Sequence, residues 1–530
     1  MNKHKSYIIN LIFPAFIFAA VTGVLTAVVI TFYKVCAKYV IAFSEFCYHY
    51  LREHLLVVLP ILIVLFLVAL LFAYIYKKLP NLRGGGIPTS IGILRGVIPF
   101  NWFKNLIGNF FLSLTTFLIG VPLGNEGPSV QMGTAVGGAS VPLFFKKHKA
   151  WERYSMTGGA CAGFSVATGA PISGIMFAIE EAHQRISPMI VIVSSASVMF
   201  AYITNEILKK FFKINTVLFP KMQLMDLSVN DIWIPIVTGV AVGLFAVLFL
   251  KYYNLINKLF NKKLNIPQEY KIFAVFAITV LFGVCSFSFV STGHELILSL
   301  FDGAPALLML ALILLVRSTL TLSANSNGIT GGVFLPLLTL GVVLAAFIGK
   351  AMGYFFGLDH QYYTIVLVLG ITACIAGMMK MPITAIVFSI EALSCYNNIL
   401  YVIIVSCVAY VLTEIFDVKS INESVLENRI LTQNEGRKLT VIDTFVTVQK
   451  DSFAAGKQIR DIFWPANLFV LSVQHDKTYG AEVDGHGAKT LYTGDVLHIR
   501  YSTFDELKTK EELIAVVGQQ EYPENQTDVI

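Results

Sequence analysis

The residues with the clearest chemistry are glutamates set in otherwise apolar sequence. Glu126 lies in Gly124-Asn125-Glu126-Gly127-Pro128, between an apolar run at 110–123 and another that begins at Val130. An ionisable side chain at such a depth in a bilayer is costly, so its presence points to function. The flanking glycines let the backbone break and a new helix begin with its free N–H groups turned toward an anion. Glu180 and Glu181 end a second apolar segment. Desolvation favours the neutral form of a carboxylate, so a proton relay with Glu126 at one end and Glu181 at the other is plausible chemistry.

Two more glycine clusters recur in the same style. They are Gly84-Gly85-Gly86-Ile87-Pro88 and Gly331-Gly332-Val333-Phe334-Leu335-Pro336. The motifs at 124 and 332 each open a predicted helix. The first cluster is no dinucleotide fingerprint, because no soluble strand and helix flank it. Helix N-termini converging at mid-membrane would hold a dehydrated anion without lysine or arginine. A full positive charge there would retain the ion too long for rapid transit. His294-Glu295 begins like a zinc-protease motif, but position 298 is Leu, so it reads as a loop feature.

The elements that must position these residues are membrane helices. The chain has 530 residues, 56% hydrophobic and 14% charged, with a mean hydropathy of +0.70. That composition belongs to polytopic membrane proteins. The net charge of +6 fits basic membrane loops better than a nucleic-acid footprint. Seven cysteines, none in a CxxC pair, read as buried small hydrophobes. Apolar spans fall at 8–33, 55–76, 104–123, 189–207, 232–255, 270–290, 305–321, 333–353, 362–378 and 398–416. Shorter or interrupted ones fall at 129–145, 157–168, 171–182 and 382–394. A crossing needs about 20 apolar residues, so the short segments meet others at mid-depth, where broken backbone survives only around a cavity or inside protein.

An internal repeat relates the two halves. Ala170-Pro-Ile-Ser-Gly-Ile-Met-Phe-Ala-Ile-Glu-Glu181 aligns without gaps on Met381-Pro-Ile-Thr-Ala-Ile-Val-Phe-Ser-Ile-Glu-Ala392, with 6 of 12 positions identical. Repeat transporters carry their site near the midplane at the repeat interface. The sequence alone leaves inverted and parallel repeats open. Glu180 has the twin Glu391, which predicts a structural role at helix ends. Glu181 has the twin Ala392, and that asymmetry leans functional. The chain changes character after Asn428. Strands are predicted at 439–448, 467–473 and 496–501, a short helix at 453–462, a turn at 493–495 and an amphipathic helix at 505–516.

The three glycine motifs with the paired glutamates resemble the CLC family of chloride channels and chloride/proton antiporters, over roughly residues 8–428. The resemblance implies an all-α polytopic fold with two inverted repeats of partly broken helices, in a homodimer with one anion pathway per subunit. Together with the change of character after Asn428, this predicts a membrane domain at 1–430 and, from the tail's own strand and helix pattern, a small α+β domain at 431–530. Glu126 matches the external gating glutamate, which mimics an anion and swings away when protonated. Glu181 matches the internal proton-transfer glutamate. Backbone N–H groups of Val333 and Phe334 would form the central anion site. Those of Gly124, Asn125 and Glu126 would form the outer site, and those of Gly84 and Gly85 the inner one. Three departures stand out: Gly85 where the family has Ser, Asn422 where it has Tyr, and Asn125 where it often has Arg. Two hydroxyl donors are thus missing, each worth roughly 1.5–3 kcal/mol to a charged acceptor, and Asn422 can replace one through its amide. Weaker central chloride binding and looser proton coupling follow.

The tail resembles the RCK C-terminal (TrkA-C) domain through Phe453-Ala-Ala-Gly-Lys-Gln-Ile-Arg460 and Leu491-Tyr-Thr-Gly-Asp-Val-Leu497. Such domains dimerise, and some bind cyclic di-AMP. Arg460, Asn467 and Leu468 match that region here. The expected function is chloride/proton antiport in the cell membrane of a bacterium, with both termini cytoplasmic and no resident cofactor. The alternative is a passive, voltage- or pH-gated chloride channel. A membrane enzyme is disfavoured, since neither a nucleophile–base pair nor a complete metal motif is found. A cation transporter, suggested only by the RCK-like tail, is disfavoured too, since no Thr-Val-Gly-Tyr-Gly filter is present.

Overall fold

Apolar runs broken by glycine and proline become helices whose ends fall at those residues. The computed structural model describes residues 12–84, 86–144, 149–213, 218–219, 224–263, 266–357, 360–434, 438–465, 467–475, 483–484 and 487–519. The first half runs α1 (Phe13–Glu53), α2 (Val58–Lys78), α3 (Ile87–Leu94), α4 (Trp102–Ile119), α5 (Glu126–Phe144), α6 (Glu152–Thr168), α7 (Pro171–Phe177) and α8 (Pro188–Phe212). A π-helical turn, Ala178–Ala182, extends α7. The second half runs α9 (Trp233–Lys258), α10 (Gln268–Cys285), α11 (His294–Asp302), α12 (Leu307–Ser326), α13 (Phe334–Phe356), α14 (His360–Met378), α15 (Pro382–Leu393) and α16 (Ile399–Ile415). Then α17 (Ile421–Gln433) leads to the tail. Among the described residues, eight helices are long and apolar enough to cross a membrane.

The two halves pack alike. In the first, α1 lies on α8, α5 on α6 and α6 on α8. In the second, α9 lies on α16, α13 on α14 and α14 on α16. Their short helices α7 and α15 meet, and each carboxylate of the repeat caps the other's start. Glu391 accepts from the amides of Ile172 (2.7 Å) and Ser173 (2.9 Å) and from the Ser173 hydroxyl. Glu180 accepts from the amides of Ile383 (3.0 Å) and Thr384 (2.6 Å) and from the Thr384 hydroxyl. The orphan donors at both N-termini are thereby satisfied. This is the structural role that the Glu180/Glu391 symmetry predicts, and the exchange is mutual, as a two-fold between inverted repeats requires.

Several expectations change. From Phe13 on, the span predicted at 8–33 is the first part of a helix that continues to Glu53, because polar residues such as Lys34 and Lys38 end the apolar run but not the helix; residues 8–11 lie outside the described residues. His294-Glu295 opens α11 rather than a loop, and the His294 ring bonds the Leu218 carbonyl (2.6 Å). The helices α3 and α17 fall outside the predicted spans, since eight and thirteen residues are too short to register as crossings. The composition change after Asn428 and the boundary at 430 both fall inside α17, whose last turns are already charged. Cys161, Cys374 and Cys395 are buried, but Cys285 and Cys407 are exposed on apolar helices.

The tail forms a four-stranded antiparallel sheet in the order β1 (Thr440–Thr447), β4 (Val496–Thr503), β2 (Leu468–Gln474), β3 (Val483–Asp484). The helix α18 (Glu506–Val517) packs on β1. Val446, Val473, Leu497, Ile499, Leu513 and Val517 fill the space between them. Three strands and α18 match the predicted positions. The predicted helix at 453–462 is only a 3₁₀ turn, Ile459–Asp461, since its backbone instead pairs with Gly487, Lys489 and Leu491.

Candidate functional site

Three glycine-bearing loops bring their backbones together where α3, α5 and α13 begin. Gly124 and Gly332 form an isolated antiparallel bridge. The Gly124 amide donates to the Gly332 carbonyl (2.6 Å), and the Gly332 amide to the Gly124 carbonyl (2.8 Å). The helices α5 and α13 start two residues beyond these glycines. A Cβ on Gly127 would stand 2.5 Å from the Gly332 Cα and 3.2 Å from the Gly86 Cα, so the three motifs touch through bare backbone. Between the starts of α3 and α13 is a void of about 10 Å³, bordered by Gly84, Ile87, Gly332 and Val333, roughly the space of one water.

This crowding makes Gly332 indispensable to the packing. Its Cβ would meet the Gly127 nitrogen at 2.5 Å and the Gly124 carbonyl oxygen at 3.1 Å, and neither can yield without breaking the bridge. Gly332→Ala is expected to cost about 1–3 kcal/mol or more. A lowered thermal midpoint in detergent checks it, and an unchanged midpoint contradicts it.

The bridge also revises which amides are available. The Gly84 amide is spent on the Gly328 carbonyl (2.5 Å) and that of Gly124 on Gly332. Neither glycine is therefore a free donor in this state, contrary to the expectation for both. The Gly86 amide is held by the Gln131 side chain (2.6 Å). Gly85 lies outside the described residues. The unspent donors move along each chain into the first turns of the helices, where amides have no intrahelical acceptor. At α13 these include the amides of Val333 and Phe334. The Phe334 ring turns away into an aromatic cluster with Phe164 (5.1 Å) and Phe388 (5.7 Å), so it is the backbone of this residue that faces the motifs.

Glu126 is fully buried at the first position of α5. Its carboxylate folds back over Gly124, where a Cβ would meet Oε2 at 2.5 Å. It sits beside its own amide and that of Leu335 in the first turn of α13. Neither oxygen reaches a partner at full hydrogen-bond geometry. The carboxylate thus lies between the two helix starts. Asn125 next to it is partly buried, with an unpartnered Oδ1.

Glu181 is 4% exposed, at the end of the π-helical turn. Arg95, just past α3, donates to the carbonyls of Glu181 and Ala182 (both 3.1 Å) and pairs with Glu423 (3.1 Å). Glu181 and Asn422 are neighbours: the Asn422 amide stands against the Glu181 carboxylate. Asn422 is fully buried, and neither amide atom meets a partner at full geometry. The structure thus groups Asn422, expected as an anion ligand, with the second glutamate.

The tail reaches this second group. Phe463 inserts between the Tyr154 ring (4.1 Å) and the His183 ring (4.8 Å), two residues beyond Glu181. The Tyr154 hydroxyl donates to the Asp461 carbonyl and accepts from the Phe463 amide. Arg153 bonds the Trp464 carbonyl, and the Arg185 guanidinium lies 5.4 Å from the Phe463 ring. Arg460 is exposed on the same turn, bonded to Gln458 (2.8 Å). Asn467, with a left-handed backbone (φ 52°), and Leu468 lie where β2 begins. Sequence reasoning missed Arg95, Phe463 and the buried Lys34. Lys34 alone carried a signal, as a charge within an apolar helix.

Buried starts of short helices, a carboxylate lodged between them and two halves related by mutual capping define a class: polytopic membrane proteins built from inverted repeats around a midplane site. Residues 68–414 match the family described as "Voltage gated chloride channel", and the chain belongs to this CLC family. The fold is similar to a slow cyanobacterial Cl⁻/H⁺ antiporter, with a TM-score of 0.72 and 23% identity, covering 79% of this chain and 99% of that one. It is also similar to a CLC-type fluoride/proton antiporter (0.62, 19%, 77% and 98%). A eukaryotic CLC transporter is a third (0.61, 18%, 78% and 73%). The tail lies beyond the residues matched to the family.

Proposed function

We propose that the protein exchanges chloride for protons across the cell membrane, with Glu126 as the protonatable gate and Glu181 as the internal proton-transfer residue. The observation that carries this is the Glu126 carboxylate, buried between the starts of α5 and α13, where helix N-termini favour an anion. Protonation removes the charge that holds it there, and an anion takes its place. Glu181, buried beside Asn422 and Arg95, would pass protons toward the side that carries the tail. That side is the cytoplasm in this reading, and the cell is bacterial. Two such subunits form a homodimer through the face of α7 and α15, where Ile172 and Ile383 stand 53% and 51% exposed. No enzymatic step and no resident cofactor are needed.

Reconstitution in liposomes tests the exchange. An outward chloride gradient should drive protons uphill, whereas chloride flux with no proton movement overturns antiport in favour of a passive channel. Asn422 and Gly85, which replace two hydroxyl donors, are the features that favour the channel. Flux ratios among chloride, fluoride, nitrate and bromide then set the selectivity.

The tail, read as an RCK C-terminal-like domain, regulates this exchange. A cyclic dinucleotide such as cyclic di-AMP, held at Arg460, Asn467 and Leu468, would act on the turn that carries Phe463 toward Glu181. Titrating cyclic di-AMP against the full-length protein tests the ligand, and no binding at high micromolar concentration leaves the tail a dimerisation role. Aromatic pairs of this kind contribute about 0.5–1.5 kcal/mol. Phe463→Ala is therefore expected to change coupled flux roughly twofold to tenfold. Equal flux in wild type and variant would reduce the contact to an anchor.

A further inference from the structure

Lys34 is a buried basic side chain at the level of the gate. It lies on α1, 9% exposed, and its Nζ donates to the carbonyls of Val166 (3.0 Å) and Ala167 (2.7 Å) near the end of α6. The packing of α6 against α5 fixes where those carbonyls stand. Added Cβ atoms at Gly137, Gly133 and Gly163 would meet Ser155, Gly159 and Ser129 respectively. The two helices are therefore antiparallel, and each step of four down α5 matches a step of four up α6. One more step places residues 166 and 167 beside Glu126. Lys34 and Glu126 accordingly feel each other's charge.

The preceding residue braces the same helix from its other flank. The Tyr33 hydroxyl pairs with Ser113 (2.8 Å) on α4. Ser113 in turn donates to the Asn109 carbonyl (2.7 Å), and the Asn109 amide to the Pro128 carbonyl (3.1 Å) in the first turn of α5. The elements packed on α5 offer few other charges here. On α1, Tyr33 and Lys34 face the gate, and Lys38, Glu45, Arg52 and Glu53 lie further along. No ionisable residue lies on α3. Lys104 is at the far end of α4, Glu152, Arg153 and Tyr154 are at the far end of α6 with Cys161 midway, and Lys350 and Tyr354 are in the last turns of α13. The next cation that Lys34 feels is Lys209 on α8.

We propose that Lys34 is the counter-charge of the gate: its ammonium favours the seated, ionised Glu126 and so sets the pH at which the gate opens. Lys34 is a positioning residue, acting through Glu126 without touching the transported ion. The inference rests on the gating role proposed for Glu126. An opposite charge nearby favours the ionised carboxylate by one or more pH units. Removing the cation leaves protonation easier, so the open state persists to higher pH.

The test is chloride flux against pH in proteoliposomes. Lys34→Gln keeps a hydrogen-bond donor for the Val166 and Ala167 carbonyls but removes the charge. Its flux midpoint is expected to move up by about one pH unit, while Lys34→Arg keeps the wild-type midpoint. In a Glu126→Gln background, Lys34→Gln should produce no further change in the profile. An unmoved midpoint in Lys34→Gln, or an equal shift in the Glu126→Gln background, overturns the proposal. A wild-type pH dependence in Glu126→Gln alone is a different result, which overturns the gating role and this inference with it. Lys34→Met provides the same measurement if the glutamine variant does not assemble.

Discussion

Glu126→Gln is expected to abolish proton movement and to make chloride flux nearly independent of pH. The amide has the shape of the protonated acid and no charge to hold it between the helix starts. In the wild type, each pH unit above the gate's titration lowers the protonated fraction about tenfold. Flux through the variant at high pH should therefore match wild-type flux at low pH. Glu126 has no ion-pair partner within contact distance among the described residues, and its seat is made of backbone alone. Removing its charge thus leaves no salt bridge broken, and the protein should stay folded. Parallel chloride-efflux and proton-uptake traces across pH check the result. Persistent proton uptake would remove Glu126 from the proton path.

Glu181→Gln is expected to separate the two fluxes from the other end of the relay. Proton movement should fall to background, while chloride flux stays within about threefold of wild type, less than 1 kcal/mol on the barrier. The reason is position. Glu181 stands with Arg95, Asn422 and Glu423, whereas the bridge of Gly124 and Gly332 and the seat of Glu126 are built without it. Gln keeps the volume and polarity of the side chain beside Asn422, so the loss tracks the missing proton site. A chloride gradient that still pumps protons in this variant would show that they travel by another route.

The membrane fold was legible because its signals are strong and local. Apolar runs gave most helices, and proline and glycine marked the starts of α3, α5, α7, α13 and α15. Glu126 was legible as a charge where charge is expensive. What escaped was set by distant partners. The Gly84 and Gly124 amides look free in sequence, yet each is claimed by a carbonyl more than two hundred residues away, at Gly328 and Gly332. Asn422 could be aligned with a ligand position, but only packing places it against Glu181. The turn at 453–462 has helical composition, and pairing with 487–491 overrides it. Lys34 was passed over because the apolar window ended at 33, although α1 does not.

The mutual capping of α7 and α15 has a consequence for how the chain is made. Ile172 and its acceptor Glu391 are 219 positions apart. A ribosome adding about 5–20 residues per second needs on the order of 10–45 s to cover that distance. Throughout that interval the amides of Ile172 and Ser173 have no cap, and the Glu180 carboxylate has no helix to receive it. Lipid cannot supply either partner. The first half therefore has to be sheltered after synthesis, by water or by the insertion machinery, until the second arrives. Neither half reaches its final form first, and the membrane domain matures in a single late step.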